Sequence, residues 1–255
     1  MFVVSTATTR LGTCVGGVLL PLFIAVGAYT QSASLHDTSE QFLREHGIAL
    51  TKKGVVNALR NDDAGVRREA SRFLSNHWPK EAAAPIQVAM LQEGDVLIRV
   101  SLATDLARLG DEAGREMLRT ECHNVGEWGT TRMYAARTMT ELHEDSCLDS
   151  VLAILRSPSD PQDTNAKWDA LDLVPSIIHN SGEQENRNIL DLTINALNDP
   201  DAGVRLTASI TLGRLGDASA IAALETAATA EQDATVHDAM LREVKRLKTL
   251  QQGQK

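Results

Sequence analysis

Apolar residues recur at intervals of three and four in long stretches of the chain: Val66, Ala70, Phe73 and Leu74; Ile98, Leu102, Leu106 and Leu109; Val204, Ala208, Leu212 and Leu215. That spacing puts one apolar stripe on one side of a helix. A shorter amphipathic run precedes each, such as Val55, Val56, Ala58 and Leu59, or Ile189, Leu192, Ile194 and Leu197. Between the short run and the long one stands a recurring phrase: DAGVR at 63–67, DVLIR at 95–99, WGTTR at 128–132, DTNAK at 163–167, DAGVR at 201–205 and DATVH at 233–237. The intervals are 32, 33, 35, 38 and 32 residues. Each unit is therefore a helix A, a tight turn and a helix B, and a period of this length predicts units stacked into a solenoid, since one helix pair cannot bury its own apolar face.

The phrase has a physical reading. Its Asp (Asp63, Asp95, Asp201) caps the free amides of helix B, the small residue keeps the turn close, and the apolar residue enters the stack. LGD at 109–111 and at 215–217 ends one helix on Gly and opens the next unit on Asp. The third phrase lacks the capping Asp, and the fourth has a lengthened turn with Lys167 at the Arg position. Asp37 and Glu40 form a capping box for an opening helix, and a final helix carries Val236, Met240, Val244 and Leu247 on one face.

Helix A, D-x-x-V-R, helix B and L-G-D together resemble the HEAT-repeat family, in particular its short bacterial HEAT-like or phycobilisome-lyase-type repeats. The resemblance covers about residues 48–250 and implies an all-α, right-handed superhelix of about six helix pairs. It also implies that helices B line a concave surface, and that the ladder Arg67, Arg99, Arg132, Lys167 and Arg205 pairs with turn acids of its own or the neighbouring unit. The other reading of that ladder is a basic stripe for an acidic ligand.

The first 34 residues are different material. Between Arg10 and His36 no residue is charged, and small residues follow the apolar stretch, which reads as a secretory signal. Leu11 to Thr30, 20 residues long, is also long enough for a membrane anchor, although four glycines and Pro21 weaken it as a helix. A buried core helix fits less well, because no polar face remains. The expected division is 1–34 as signal or anchor and 35–255 as the repeat domain, placed outside the cytoplasm, with the membrane touched only through the N-terminal segment. Cys14 precedes rather than follows the apolar core, which excludes a lipoprotein signal.

Charge narrows the partners. With 25 Lys and Arg against 34 Asp and Glu the net charge is −9, and the helices B, ladder aside, carry Arg68, Arg72, Arg108, Arg137 and Arg214 against Glu69, Asp105, Glu141, Asp169 and Asp172. Nucleic acid is disfavoured on both counts. His77, His143 and His179 near the ends of helices B stand one per unit, about 10 Å apart, too far to share an ion; they suit helix C-termini instead. No metal or cofactor is called for. The His-Glu pairs of HEAT-type di-iron hydroxylases are represented by His143-Glu144 alone, and no nucleophile elbow, phosphate loop or H-E-x-x-H occurs, so no catalytic residue is assigned. Aligning units three and four on Asp111 and Asp145 sets Cys122 and Cys147 nine residues apart on neighbouring parallel helices, about 13 Å, which predicts two thiols rather than a bridge.

The remaining irregularities are the stretches 122–134 and 157–169, which contain Trp128 and Trp168. Tryptophans in lengthened turns read either as a binding site or as plugs for imperfect packing. The functional expectation is a non-enzymatic scaffold that binds a protein partner through Trp128, Trp168, Arg108 and Arg137, on the concave face or the irregular units. The alternative, carried by the family resemblance, is a lyase-like or other enzyme that uses the solenoid to hold a substrate.

Overall fold

The computed structural model describes residues 38–178 and 182–253. The apolar segment 1–34, Asp37 of the capping box and His179 lie outside the described residues. Among the described residues there are helices and no strands. An opening helix α1 (residues 38–45) is followed by six pairs: α2 (Lys52–Ala58) with α3 (Ala64–His77), α4 (Pro79–Gln92) with α5 (Val96–Arg108), α6 (Glu112–His123) with α7 (Gly129–Glu141), α8 (Leu148–Arg156) with α9 (Thr164–Ile178), α10 (Glu183–Asn195) with α11 (Ala202–Leu215), and α12 (Ile221–Ala230) with α13 (Ala234–Gly253). Short 3-10 turns at Ala196–Asn198 and Ala218–Ala220 complete the last two helices A.

The caps explain where helices begin. Asp63 accepts from the amides of Gly65 and Val66, Asp95 from Ile98, Asp201 from Val204, and Asp233 from Thr235 and Val236. Helices α5 and α11 end on a left-handed glycine, Gly110 at φ 85° and Gly216 at φ 74°. His143 occupies the same place after α7 at φ 61°, a conformation that costs a side-chain-bearing residue about 1 kcal/mol. The six-to-one bonds from Asp111 N–H to Leu106 and from Glu144 N–H to Met139 close both ends alike.

Helices B pack on one another in order, α3 on α5, α5 on α7, α7 on α9, α9 on α11 and α11 on α13, and each rests on its own helix A. One apolar layer runs between the two rows. Val66, Ala70, Phe73 and Leu74, Ile98, Leu102 and Leu106, and Val204, Ala208 and Leu212 are all buried in it, as their spacing predicts. Buried polar rungs cross from unit to unit as well: Ser71 donates to Asp105 at 2.6 Å, and Thr104 meets Thr138 at 3.0 Å. Burial pushes the Asp105 carboxyl up to about 6, against the pull of Ser71, Arg72 and Arg108.

One expectation is overturned. Cys122 and Cys147 form a disulfide, with their Cα atoms 5.9 Å apart rather than the expected separation of about 13 Å. The expectation assumed that helices A of units three and four stack in register. Instead α8 begins only at Leu148, so Cys147 sits ahead of the helix, where it reaches Cys122 in the last turn of α6. Neither cysteine is exposed: Cys122 is 0% and Cys147 2% accessible.

Candidate functional site

The arginine ladder is an interlock between units. Arg67 donates through Nη1 to the carbonyls of Asn61 and Asp62 in its own turn. Through Nε and Nη2 it grips Glu93 of the next unit at 2.6 and 2.9 Å. Arg205 repeats this arrangement, with Nη1 on Asp199 and Pro200 and the other two nitrogens on Glu231 at 2.6 and 2.8 Å. The acid stands two residues ahead of the cap and also takes the cap's own amide: Glu93 from Asp95, Asp199 from Asp201, Glu231 from Asp233. One carboxylate thus fixes a turn and clamps the preceding unit to it. Arg205's hydrogen bond holds the Glu231 carboxyl down at about 2.

In the middle of the chain this device fails in two steps. The position two ahead of the third cap is Gly126, and Arg99 pairs instead with Glu121 on α6 at 2.9 Å. The position two ahead of Asp163 is Pro161, and here no acid among the described residues substitutes. Arg132 keeps one bond, from Nε to the Cys122 carbonyl at 3.2 Å, and among the described residues no carboxylate pairs with it. Lys167 resumes the ladder: it is buried, donates to the Ser157 carbonyl at 2.6 Å and pairs with Asp199 at 2.8 Å. Burial works to raise the Asp199 carboxyl, but Lys167 and Ser159 overcome it and hold it below the usual range.

At this junction an open recess of about 490 Å³ lies between units three and four, lined by Trp128, Arg132, Ile154, Pro158, Asp160 and Lys167 among others. Trp128, which caps nothing with its side chain, is 58% exposed at its edge. The cap that α7 lacks comes from the next unit, since Asp163 accepts from both the amide and the hydroxyl of Thr130. Gly129 permits that approach, because a Cβ there would meet Ala166 Cβ at 2.6 Å. A matching recess of about 400 Å³ lies between units one and two, lined by Asn61, Asp62, Arg67 and Glu93, and there the arginine is already taken by Glu93.

The other candidate residues are placed differently. Trp168 is 37% exposed, but it leans onto the following turn: its Nε1 donates to Asp201 at 3.2 Å, and a Cβ on Gly203 would come within 2.4 Å of its ring. It does not line the recess. Arg108 pairs with Glu141 at 2.7 Å and Arg137 with Asp172 at 3.0 Å, while Arg214 shares Asp172 and Arg68 shares Glu69. The charges on the row of helices B therefore interleave instead of forming a basic surface. His77 stacks on Phe73 and turns Nδ1 to the Phe73 carbonyl, as a histidine at a helix end does. The unmatched arginine was missed by the sequence reading, although its signal was present: acids at 93, 199 and 231, and Gly and Pro at 126 and 161.

Geometry of this kind defines an all-α helical-repeat protein whose units are clasped by a recurring arginine–acid pair. A family profile described as HEAT repeats matches residues 176–244, so the HEAT repeats to which the recurring phrase pointed are shown over those residues. Among solved structures, the complex of CpcE and CpcF of phycocyanin lyase from Nostoc sp. PCC7120 is similar at a TM-score of 0.37 and 17% identity, over 79% of this chain and 95% of that one. An engineered protein is similar at a TM-score of 0.37 and 18% identity, over 90% of this chain and 94% of that one. A search of curated proteins found no match.

Proposed function

We propose that this HEAT-like solenoid is a non-enzymatic scaffold that holds a protein partner at the junction of units three and four, beside the face lined by helices B. The observation that carries the reading is the open recess: it stands where the clasp between units is missing, with Trp128 exposed at its edge. Tryptophan is among the residues enriched at the energetic centres of protein interfaces. Arg108 and Arg137, each held by an acid of the next unit, contribute orientation there rather than net charge. We extend the proposal to location: exported, or anchored through residues 1–34. The Cys122–Cys147 bridge supports this, since such bonds persist in oxidising compartments.

The test is affinity capture of the tagged full-length chain from membrane and extracytoplasmic fractions, with its N-terminus read by mass spectrometry. A stoichiometric protein that is retained by Trp168→Ala and lost with Trp128→Ala supports the reading. Recovery of the chain alone removes the partner from the proposal, and recovery only from the cytosol removes the location.

A further inference from the structure

We infer that the recess between units three and four takes a single carboxylate, an aspartate or glutamate side chain of the protein partner, and that Arg132 receives it as Arg67 receives Glu93. The inference rests on the scaffold reading above and names the chemistry of its site. Its basis is internal comparison. At three other junctions the ladder cation meets an acid two residues ahead of the next cap: Arg67 with Glu93, Lys167 with Asp199, Arg205 with Glu231. Arg99, which faces Gly126 at that register, draws in Glu121. Only Arg132, facing Pro161, has no acid among the described residues, and it lines a recess open to solvent.

Neighbouring acids do not fill the gap. Asp163 is committed to Thr130, and the Asp160 side chain accepts the Gln162 amide at 2.8 Å. Arg132 has spent only Nε, so Nη1 and Nη2 remain for a two-pronged bond to a carboxylate. The rim selects among anions. Glu127, Asp160 and Asp163 line the same recess, and the chain carries a net charge of −9, so a polyanion such as nucleic acid is repelled while one carboxylate with neutral or basic neighbours is tolerated. At about 490 Å³ the recess exceeds one carboxylate side chain, leaving room for an adjoining apolar residue against Trp128, Ile154 and Pro158.

The probe is a phage-displayed random dodecapeptide library selected on the immobilised full-length chain, with winners resynthesised carrying their acid as Glu or as Gln. Two variants report: Arg132→Gln removes the cation, and Pro161→Glu supplies the missing acid from within the chain while leaving Arg132 in place. Selected peptides are expected to share one acid, and Glu-to-Gln exchange is expected to weaken binding about 10-fold or more. Both variants should lose binding to the same degree, and Pro161→Glu should melt no lower than the parent. Acid-free winners, no winners at all, or acidic winners that bind Pro161→Glu as well as the parent overturn the inference. A protein partner that survives both variants and is lost with Trp128→Ala overturns the carboxylate alone and leaves the scaffold standing. Absence of any partner overturns the scaffold reading itself.

Discussion

Breaking the Cys122–Cys147 bridge is the perturbation whose size follows most directly from the fold. The bridge spans a sequence separation of 25 and encloses α7, the helix that carries Arg132 and directly follows Trp128. Closing a loop of that length removes unfolded-state entropy worth about 3.5 kcal/mol at 25 °C. For a chain of this size each kcal/mol moves the melting temperature by roughly 2–4 °C, so Cys122→Ala with Cys147→Ala is expected to melt about 7–14 °C below the parent. Both cysteines are buried, so native-state reduction is slow and the reduced protein is best made by unfolding and refolding in reductant. Helical circular dichroism at low temperature should be unchanged, because the apolar layer on both sides of the bridge stays in place. Hydrogen exchange should rise first at the end of α6 and the start of α8, which the bridge joins, and in α7, which it encloses. Alkylation of the denatured, unreduced protein supplies the decisive check. Labels found on both Cys122 and Cys147, or a double alanine variant that melts with the parent, would refute the reasoning.

Three further outcomes follow from named contacts. Glu231 has its carboxyl held at about 2 by Arg205, against an ordinary value of 4.5, so the stability it contributes is complete above about pH 4.5 and is lost as pH falls through about 2. Urea melts of Glu231→Gln should show a deficit of roughly 2 kcal/mol at pH 7 that vanishes towards pH 2; a constant deficit would rule out the clasp as its source. Gly203→Ala should cost about 1–3 kcal/mol by driving a methyl into the Trp168 ring, and Trp168→Ala should remove most of that cost; additive losses in the double variant would sink the contact. His143→Gly should raise stability by about 1 kcal/mol by relieving the left-handed backbone, and an unchanged or lower melting temperature would argue against that account.

The regular part of this molecule was legible in its sequence because each local signal points the same way. Asp63, Asp95 and Asp201 cap the helices they precede, Gly110 and Gly216 stop the helices they follow, and the apolar stripes lie in the layer between the rows. Four ladder cations, Arg67, Arg99, Lys167 and Arg205, pair with an acid of the neighbouring unit as the family resemblance implied, with own-turn carbonyls as additional acceptors for Arg67 and Arg205, whereas Arg132 pairs with none among the described residues. The irregular middle was harder to read. Distances across a solenoid depend on how far each helix slides along its neighbour, and that slide is set by turn lengths whose geometry a periodic ruler does not carry. The Cys122–Cys147 bridge was missed for that reason. Trp128 and Trp168 looked alike in sequence, both lying in lengthened turns, yet one edges the recess while the other seals the turn at Gly203. What separates them is register: Trp128 takes the cap position ahead of α7, whereas Trp168 follows the ladder residue Lys167 within α9.

Site-specific photocrosslinking tests the central claim most directly. A benzophenone amino acid is placed at Trp128 in the full-length chain, with the same group at Leu241, an exposed position on the final helix, as control. Irradiation in the source cells should give one defined protein adduct from position 128 and none from position 241, and Arg132→Gln should reduce its yield. Adducts of equal yield from both positions, or none from position 128 while the chain remains folded, would mean that the recess between units three and four is not where a partner binds.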